Sequence, residues 1–195
     1  FDGARLAGYT LAVAAIRDGV PYLHSHMTGI HADYRDRGIG RMLKFFQREE
    51  ALSRNLRLIC WTFDPLEFRN AYFNFNRLGA IARTYLPNFY GVTSSPLHRG
   101  LATDRLLAEW HLDSPRVMAI IGGAPVVPEC AAVIEMPASP ADGPSATTLQ
   151  LSEQVAKIQE RLRNEFTKYF QRNYAAIAVR REGVRGYLLT PWSDF

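Results

Sequence analysis

Apolar and β-prone residues fill Ala4 to Ile16 and again Pro21 to Ile30, on either side of Arg17-Asp18-Gly19, a pattern that predicts an antiparallel hairpin. The second strand runs into Asp33-Tyr34-Arg35-Asp36-Arg37-Gly38-Ile39-Gly40. After the glycines Ile39, Met42, Leu43, Phe46, Glu50 and Leu52 recur at helical spacing as a mostly apolar stripe, so a helix is expected from about Gly38 to Arg54. A buried-type strand, Arg57 to Phe63, stops at Asp64-Pro65, where proline suits the first turn of a helix from Leu66 to Leu78 ended by Gly79. Strands are expected at Ala80 to Leu86 and Asp104 to Leu112, separated by a loop rich in Pro, Ser and Gly, and Asp113-Ser114-Pro115 opens a short helical turn.

From Gly122 to Pro144 the pattern changes, with Pro125, Pro128, Pro137, Pro140 and Pro144 around one short apolar strand, Ala131 to Met136. That stretch reads as a boundary. Beyond it Leu151, Val155, Ile158, Leu162, Phe166, Tyr169 and Phe170 recur at three and four residues, an amphipathic helix, and strands Tyr174 to Arg180 and Val184 to Thr190 follow around Glu182-Gly183.

Composition narrows the class. With 195 residues, 47% hydrophobic, 12% aromatic and 22% charged, the chain is an ordinary globular domain, or one with a small extension. Its longest apolar run, Leu6 to Ile16, is about half of what a bilayer crossing needs, so no membrane partner is expected. Two cysteines, Cys60 and Cys130, exclude a disulfide scaffold and an all-cysteine zinc site, and point to a reducing, cytoplasmic compartment. A net charge of +4 is modest for a nucleic-acid binder, and Arg161, Arg163, Arg180 and Arg181 are scattered as solvated faces, so no nucleic-acid groove is expected. The chain starts at Phe1 with a turn at Asp2-Gly3 and almost no strand before it, which leads to the expectation of a segment preceding it.

A glycine pair opening a helix after a strand is an anion site in waiting, because the first backbone N–H groups lack helical partners and the macrodipole favours negative charge. Arg35, Arg37 and Arg41 surround it. The loop lacks the third glycine of the dinucleotide fingerprint and the Gly-Lys-Ser/Thr of the Walker loop. The segment Arg35-x-x-Gly38-x-Gly40, with Tyr34 before it and Ile30 closing the strand, resembles the acyl-CoA pyrophosphate motif of the GNAT superfamily of N-acetyltransferases. The element order agrees over about Phe1 to Leu112. The resemblance implies a mixed-sheet α/β fold with the family's N-terminal elements missing: a catalytic domain over residues 1–112 and a small α+β extension over 113–195.

By that resemblance the N–H groups of Arg37, Gly38, Ile39, Gly40 and Arg41 cradle a pyrophosphate, the bulged stretch Met27-Thr28-Gly29-Ile30 pairs with pantetheine, and the N–H of Ile30 polarises the thioester carbonyl. An asparagine of the second helix, Asn70 first among Asn70, Asn74 and Asn76, meets the pantetheine arm. His24 and His26 share a strand face; His24-Ser25-His26 resembles the His-x-His strand of arylalkylamine N-acetyltransferase and makes the two histidines the catalytic pair. An alkylammonium near pKa 10 must lose a proton before it attacks, and a histidine near 6.5 accepts it through water. Phe75 stands where many members carry a tyrosine acid; Tyr72, Tyr85 and Tyr90 are candidates elsewhere, though core or cleft wall explains each as well. Asp64 and Glu67 are alternative bases, Asp64 being equally explained as a helix cap. Cys60 reads as a small buried hydrophobe. The expected co-substrate is acetyl-CoA or another acyl-CoA such as succinyl-CoA, without metal, and the expected acceptor is a small-molecule amine, an amino acid for instance. Open beside this stand a protein N-acetyltransferase, a non-catalytic acyl-CoA-binding regulatory module, and assembly as a homodimer.

Overall fold

Asp18 and Gly19 both take positive φ, 52° and 78°. That two-residue turn matches the strand twist, and β1 (Gly8–Arg17) and β2 (Val20–Ile30) pair antiparallel on either side of it. The computed structural model describes residues 1–91, 102–123, 130–137 and 148–193 of the chain. The loop before Asp104 and much of the Gly122 to Pro144 stretch lie outside the described residues.

Helix α1 (Ile39–Ser53) follows the glycine loop, then β3 (Leu58–Phe63). Helix α2 (Phe68–Tyr72) continues as a π-helical turn over Phe73–Arg77, where Leu78 N–H donates to Phe73 C=O at 3.1 Å. One α-helix from Leu66 to Leu78 was the expectation; the segment starts two residues later and widens midway, a distortion frequent where a helix lines a functional site. Gly79 ends it at φ 83°, and a Cβ there would stand 3.0 Å from Ile120 Cδ1. Strands β4 (Ile81–Leu86) and β5 (Arg105–His111) precede helix α3 (Pro115–Ile121), whose N-cap Ser114 accepts from Val117 N–H. Strand β6 (Ala132–Glu135), helix α4 (Thr148–Phe170), β7 (Tyr174–Arg180) and β8 (Gly186–Pro191) follow. No described helix is long and apolar enough to cross a membrane.

The eight strands among the described residues form one sheet in the order β1-β2-β3-β5-β4-β7-β8-β6. Only β2 and β3 run parallel; the other neighbours are antiparallel. This is the mixed α/β architecture expected, and the hairpin, loop, helix, strand, helix and two strands come in the expected order. The elements after Leu112 extend the same sheet through β4 and β7, although that seam pairs only Ala82 with Ala176. Asn76 reinforces it: its amide donates to Val179 C=O at 3.1 Å and accepts from Val179 N–H at 2.9 Å. Phe75, Trp110, Phe166 and Tyr187 are fully buried in one core, with Phe75 and Phe166 edge-on to Tyr187 at 6.2 and 5.0 Å. Each such ring contributes roughly 2–3 kcal/mol of burial. The core therefore does not divide at the expected boundary.

Helix α1 departs most from the sequence pattern. Met42 and Phe46, taken from its apolar stripe, are 69% and 68% exposed, and its buried residues are Lys44, Gln47, Arg48 and Ala51. The polar members of that face are tolerated because each finds a partner in another element: Lys44 at Ser25, Gln47 at Thr10, and Arg48 at Leu112 C=O.

Candidate active site

The β2–β3 ladder is short, pairing Leu23 with Ile59 and His24 with Cys60. Beyond it the strands part, and a cavity of about 540 Å³ opens between them, bounded by the start of α1 and by the α2 segment. Parallel strands that separate expose backbone donors and acceptors on their facing edges, which an extended amide-bearing ligand can satisfy.

At one end of the cavity lies the glycine loop. Gly38 is the N-cap of α1 at φ 79°, with no side-chain cap and no acidic residue in the first turn. The N–H groups of Ile39 and Gly40 are thus left for a ligand, whereas that of Arg41, expected in the cradle, already donates to Gly38 C=O at 3.0 Å, so Arg41 can serve the site only through its side chain. Gly38 is required by its left-handed backbone, since a Cβ there would meet nothing within 4 Å; Gly40 is different, because a Cβ would approach only the tip of Ile30 at 3.1 Å. Arg41 lines the cavity with a buried Nε that has no partner among the described residues. Asp36 also lines it and lies 3.3 Å from Arg69. Arg35 and Arg37 are exposed and outside the wall, Arg37 standing over the Tyr34 ring at 5.5 Å. Ile39 does not line the cavity by its side chain either.

Strand β2 supplies Ser25, His26, Met27, Thr28 and Ile30 to the wall. Its register against β1 shifts between Leu11 and Ala12, so His26 is the unpaired residue of a bulge. The bulge was expected within Met27 to Ile30 and falls one step earlier. Gly29 is turned away from the cavity: a Cβ on it would come within 2.6 Å of the Tyr9 ring, whose hydroxyl donates to Met27 Sδ at 2.8 Å. Its lack of a side chain admits that ring. The bulge interrupts the strand's alternation next to the cavity, where Ser25 and His26 both contribute to the wall. His24 is half-buried and is not part of the wall, yet its ring lies 6.2 Å from that of His26. Burial first, then the charges of His26 and Lys44, lowers the His24 pKa below its ordinary 6.5.

Asn70, Phe73, Asn74 and Arg77 face the cavity from the α2 segment. Asn70 is exposed there; Asn74 is 1% exposed, with an amide Nδ2 that has no acceptor among the described residues. Asn76 serves the β7 seam instead.

Sequence reasoning missed Lys44. Its ammonium is buried on the cavity wall, donates to Ser25 Oγ at 2.7 Å and Gln47 Oε1 at 3.3 Å, and stands 4.0 Å from the Trp61 ring centroid. The one available signal was a lysine four residues after Gly40, among apolar neighbours. Burial pushes its pKa down from 10.5 to about 7. A cation with a depressed folded pKa lowers stability by ~5 kcal/mol at neutral pH and below, and the loss is recovered as pH rises from about 7 toward 10.5. Lys44→Met is therefore expected to gain ~2 kcal/mol at pH 6 after the two lost hydrogen bonds are counted. Thermal melts at pH 6 and pH 10 check this: the gain should shrink toward the higher pH.

Other candidates fall away on geometry. Cys60 is buried, and burial pushes its thiol up to about 12, so it holds no thiolate. Phe75 is core. The Tyr85 hydroxyl donates to Asp104 at 2.7 Å, and its pKa is pushed up by burial and then by that carboxylate. Asp64 accepts from Leu66 N–H at 2.8 Å, so the turn entering α2 explains it, and Glu67 is exposed outside the wall. Asp104 accepts from Asn88 N–H and from Nε and Nη2 of Arg163, which makes its loop a structural turn. Tyr90 is exposed and does not line the cavity, but its hydroxyl lies 3.0 Å from that of Thr62, which does.

The sequence matches no protein-family model and no curated protein. Among solved structures the chain is similar to the NatC complex bound to Gag peptide and CoA, at 16% identity and a TM-score of 0.44. It is also similar to Chaetomium thermophilum Naa20 in complex with a bisubstrate analogue, at 14% identity and a TM-score of 0.48. The similarity covers 54% of this chain and 60% of the NatC chain, and 60% of this chain and 67% of Naa20.

Proposed function

We propose that the protein is a GNAT-type, acyl-CoA-dependent N-acyltransferase that moves an acetyl or longer acyl group to the amine of a small molecule, by direct attack within a ternary complex. One observation carries the reading: the cavity between the diverging strands ends at an uncapped helix start whose N-cap is a left-handed glycine. The pyrophosphate of CoA belongs at that helix start, on the N–H groups after Gly38, with Arg41 beside it. The pantetheine arm lies between β2 and β3, where Thr28, Asn70 and the unpartnered amide of Asn74 are donors.

The thioester then lies toward the bulge, near His26. Attack by a neutral amine forms the C–N bond, the carbonyl oxygen takes up charge against the β2 amides, and the C–S bond breaks as the tetrahedral intermediate collapses. The ammonium proton leaves through water to His26 and His24. The thiolate can leave unprotonated, its thiol having a pKa near that of free cysteine, about 8.5. An acyl-cysteine route is disfavoured by the buried, protonated Cys60.

Thiol release from acetyl-CoA with a panel of amines tests the proposal, and CoA binding without thiol release across the panel would sink the enzymatic reading. Single alanine substitutions of His24 and His26 are each expected to lower kcat about tenfold or more while CoA affinity holds. Because the two act in one path, the double variant should lose less than the product of the singles. The lowered pKa of His24 places the acidic limb of the pH profile below 6.5 in the wild type. A limb unmoved in His24→Ala would return that residue to a packing role.

A further inference from the structure

Lys44 has no use in the scheme above, and its surroundings are unusual for a buried cation. Among the described residues its hydrogen-bond acceptors are neutral, Ser25 Oγ at 2.7 Å and Gln47 Oε1 at 3.3 Å, and its other close neighbour is the Trp61 ring face at 4.0 Å. Lys44 is 5% exposed, its ammonium forms no ion pair within 4.0 Å among the described residues, and the residue forms part of the wall of an open cavity. Buried charges are ordinarily paired, because desolvating one costs several kcal/mol. Here the missing partner can only come from the cavity.

Position says which anion. Lys44 lies four residues beyond Gly40, roughly 6 Å further along the helix axis than the phosphate end of the cavity. A pyrophosphate at the helix start is already served by the N–H groups and Arg41 and does not need it. The acyl and amine end of a CoA thioester carries no charge of its own. We propose that the inner end of the cavity, Lys44 with Ser25 beside it, binds a carboxylate carried by one of the two reacting substrates; this rests on the acyl-CoA reading of the same cavity. The carboxylate belongs either to a dicarboxylic acyl chain or to an amino-acid acceptor. Ser25 can turn its hydroxyl hydrogen toward it while still accepting from Lys44, and the flat Trp61 ring bounds the methylene stem. Burial that depresses the lysine's pKa in the empty cavity is relieved when the anion arrives. The other charged or titratable groups on the same wall are Asp36, Arg41, Arg77 and His26, of which only Asp36 is anionic, and it lies beside Arg69.

The test compares substrates matched in shape and differing in charge, with wild type, Lys44→Met and Lys44→Gln, each checked by thermal melt. The acyl arm sets succinyl-CoA against butyryl-CoA, with one neutral amine as acceptor. The acceptor arm sets amino acids against their amides, with acetyl-CoA as donor. Binding is followed by calorimetry and turnover by thiol release. In one arm the wild type should prefer the carboxylated substrate by more than ~10-fold in kcat/KM, as expected of a charge-assisted hydrogen bond, and both variants should lose most of that preference. The arm that shows it names the source. Equal use of charged and neutral substrates in both arms overturns the inference while leaving acyl transfer standing, and so does a preference that both variants retain. Failure of wild type to bind CoA at all brings down the acyl-CoA reading itself, and this inference with it.

Discussion

Gly38→Val is expected to abolish most CoA binding, weakening it by well over tenfold, or more than ~1.4 kcal/mol. The residue sits at φ 79°, where a β-branched side chain is strained by roughly 1–2 kcal/mol or moves the backbone out of the left-handed region. Either response rotates the peptide units that begin α1, and those units carry the uncapped N–H groups to which the proposed function assigns the pyrophosphate. The site has no side-chain cap to fall back on. Gly40→Ala makes the informative contrast: its Cβ meets only the flexible tip of Ile30, so the fold should accept it, and any loss of affinity then reports the space a phosphate needs. Calorimetric titration of both variants with CoA, alongside thermal melts, checks this. Unchanged affinity in a folded Gly38→Val protein would remove the phosphate site from the loop.

Arg116→Met is expected to destabilise the protein by ~3 kcal/mol or more and lower Tm by about 10 °C. The guanidinium is half-buried in α3 and has no carboxylate among its described partners. It donates instead to three backbone carbonyls, Phe75 and Gly79 at 3.2 Å each and Ile177. Burial lowers its pKa to about 10, leaving it charged at neutral pH. Those carbonyls close the π-helical turn and belong to the bulged stretch of β7, so a single side chain joins the cavity-lining segment to the strands after Leu112. Methionine fills the volume but leaves the carbonyls without their donor, a cost the apolar contact does not offset. Chemical denaturation at neutral pH measures the loss. A change below 0.5 kcal/mol, the scale of an ordinary surface substitution, would show that water replaces the guanidinium.

Local chemistry that repeats over a few residues was legible: the hairpin turn at Asp18-Gly19, the Ser114-Pro115 helix start, the Gly79 stop and the glycine loop before α1 all lie where turn and cap rules put them. The period of α4 was legible too, because Leu162 and Phe166 meet an apolar core. The period of α1 misled. Its packed face holds Lys44, Gln47 and Arg48, whose burial is tolerable only because Ser25, Thr10 and the Leu112 carbonyl stand opposite, and no spacing rule within the helix carries that information.

From the sequence by itself came the alternation of strands and helices, an anion-binding helix start in the glycine loop, and two histidines on the strand that leads to it. Those features depend on backbone propensities and on residues near one another along the chain, so local physics determines them. Only the tertiary structure decided that β2 and β3 separate after His24, that the register shift falls on His26, that the elements after Leu112 share the first core, and that Lys44 faces the cavity without an anionic partner among the described residues. Each of these depends on pairings between residues from 13 to more than 100 positions apart, among them Ala12 with Ser25, Lys44 with Ser25 and Asn76 with Val179, and such contacts are settled by which surfaces fit together when the chain collapses.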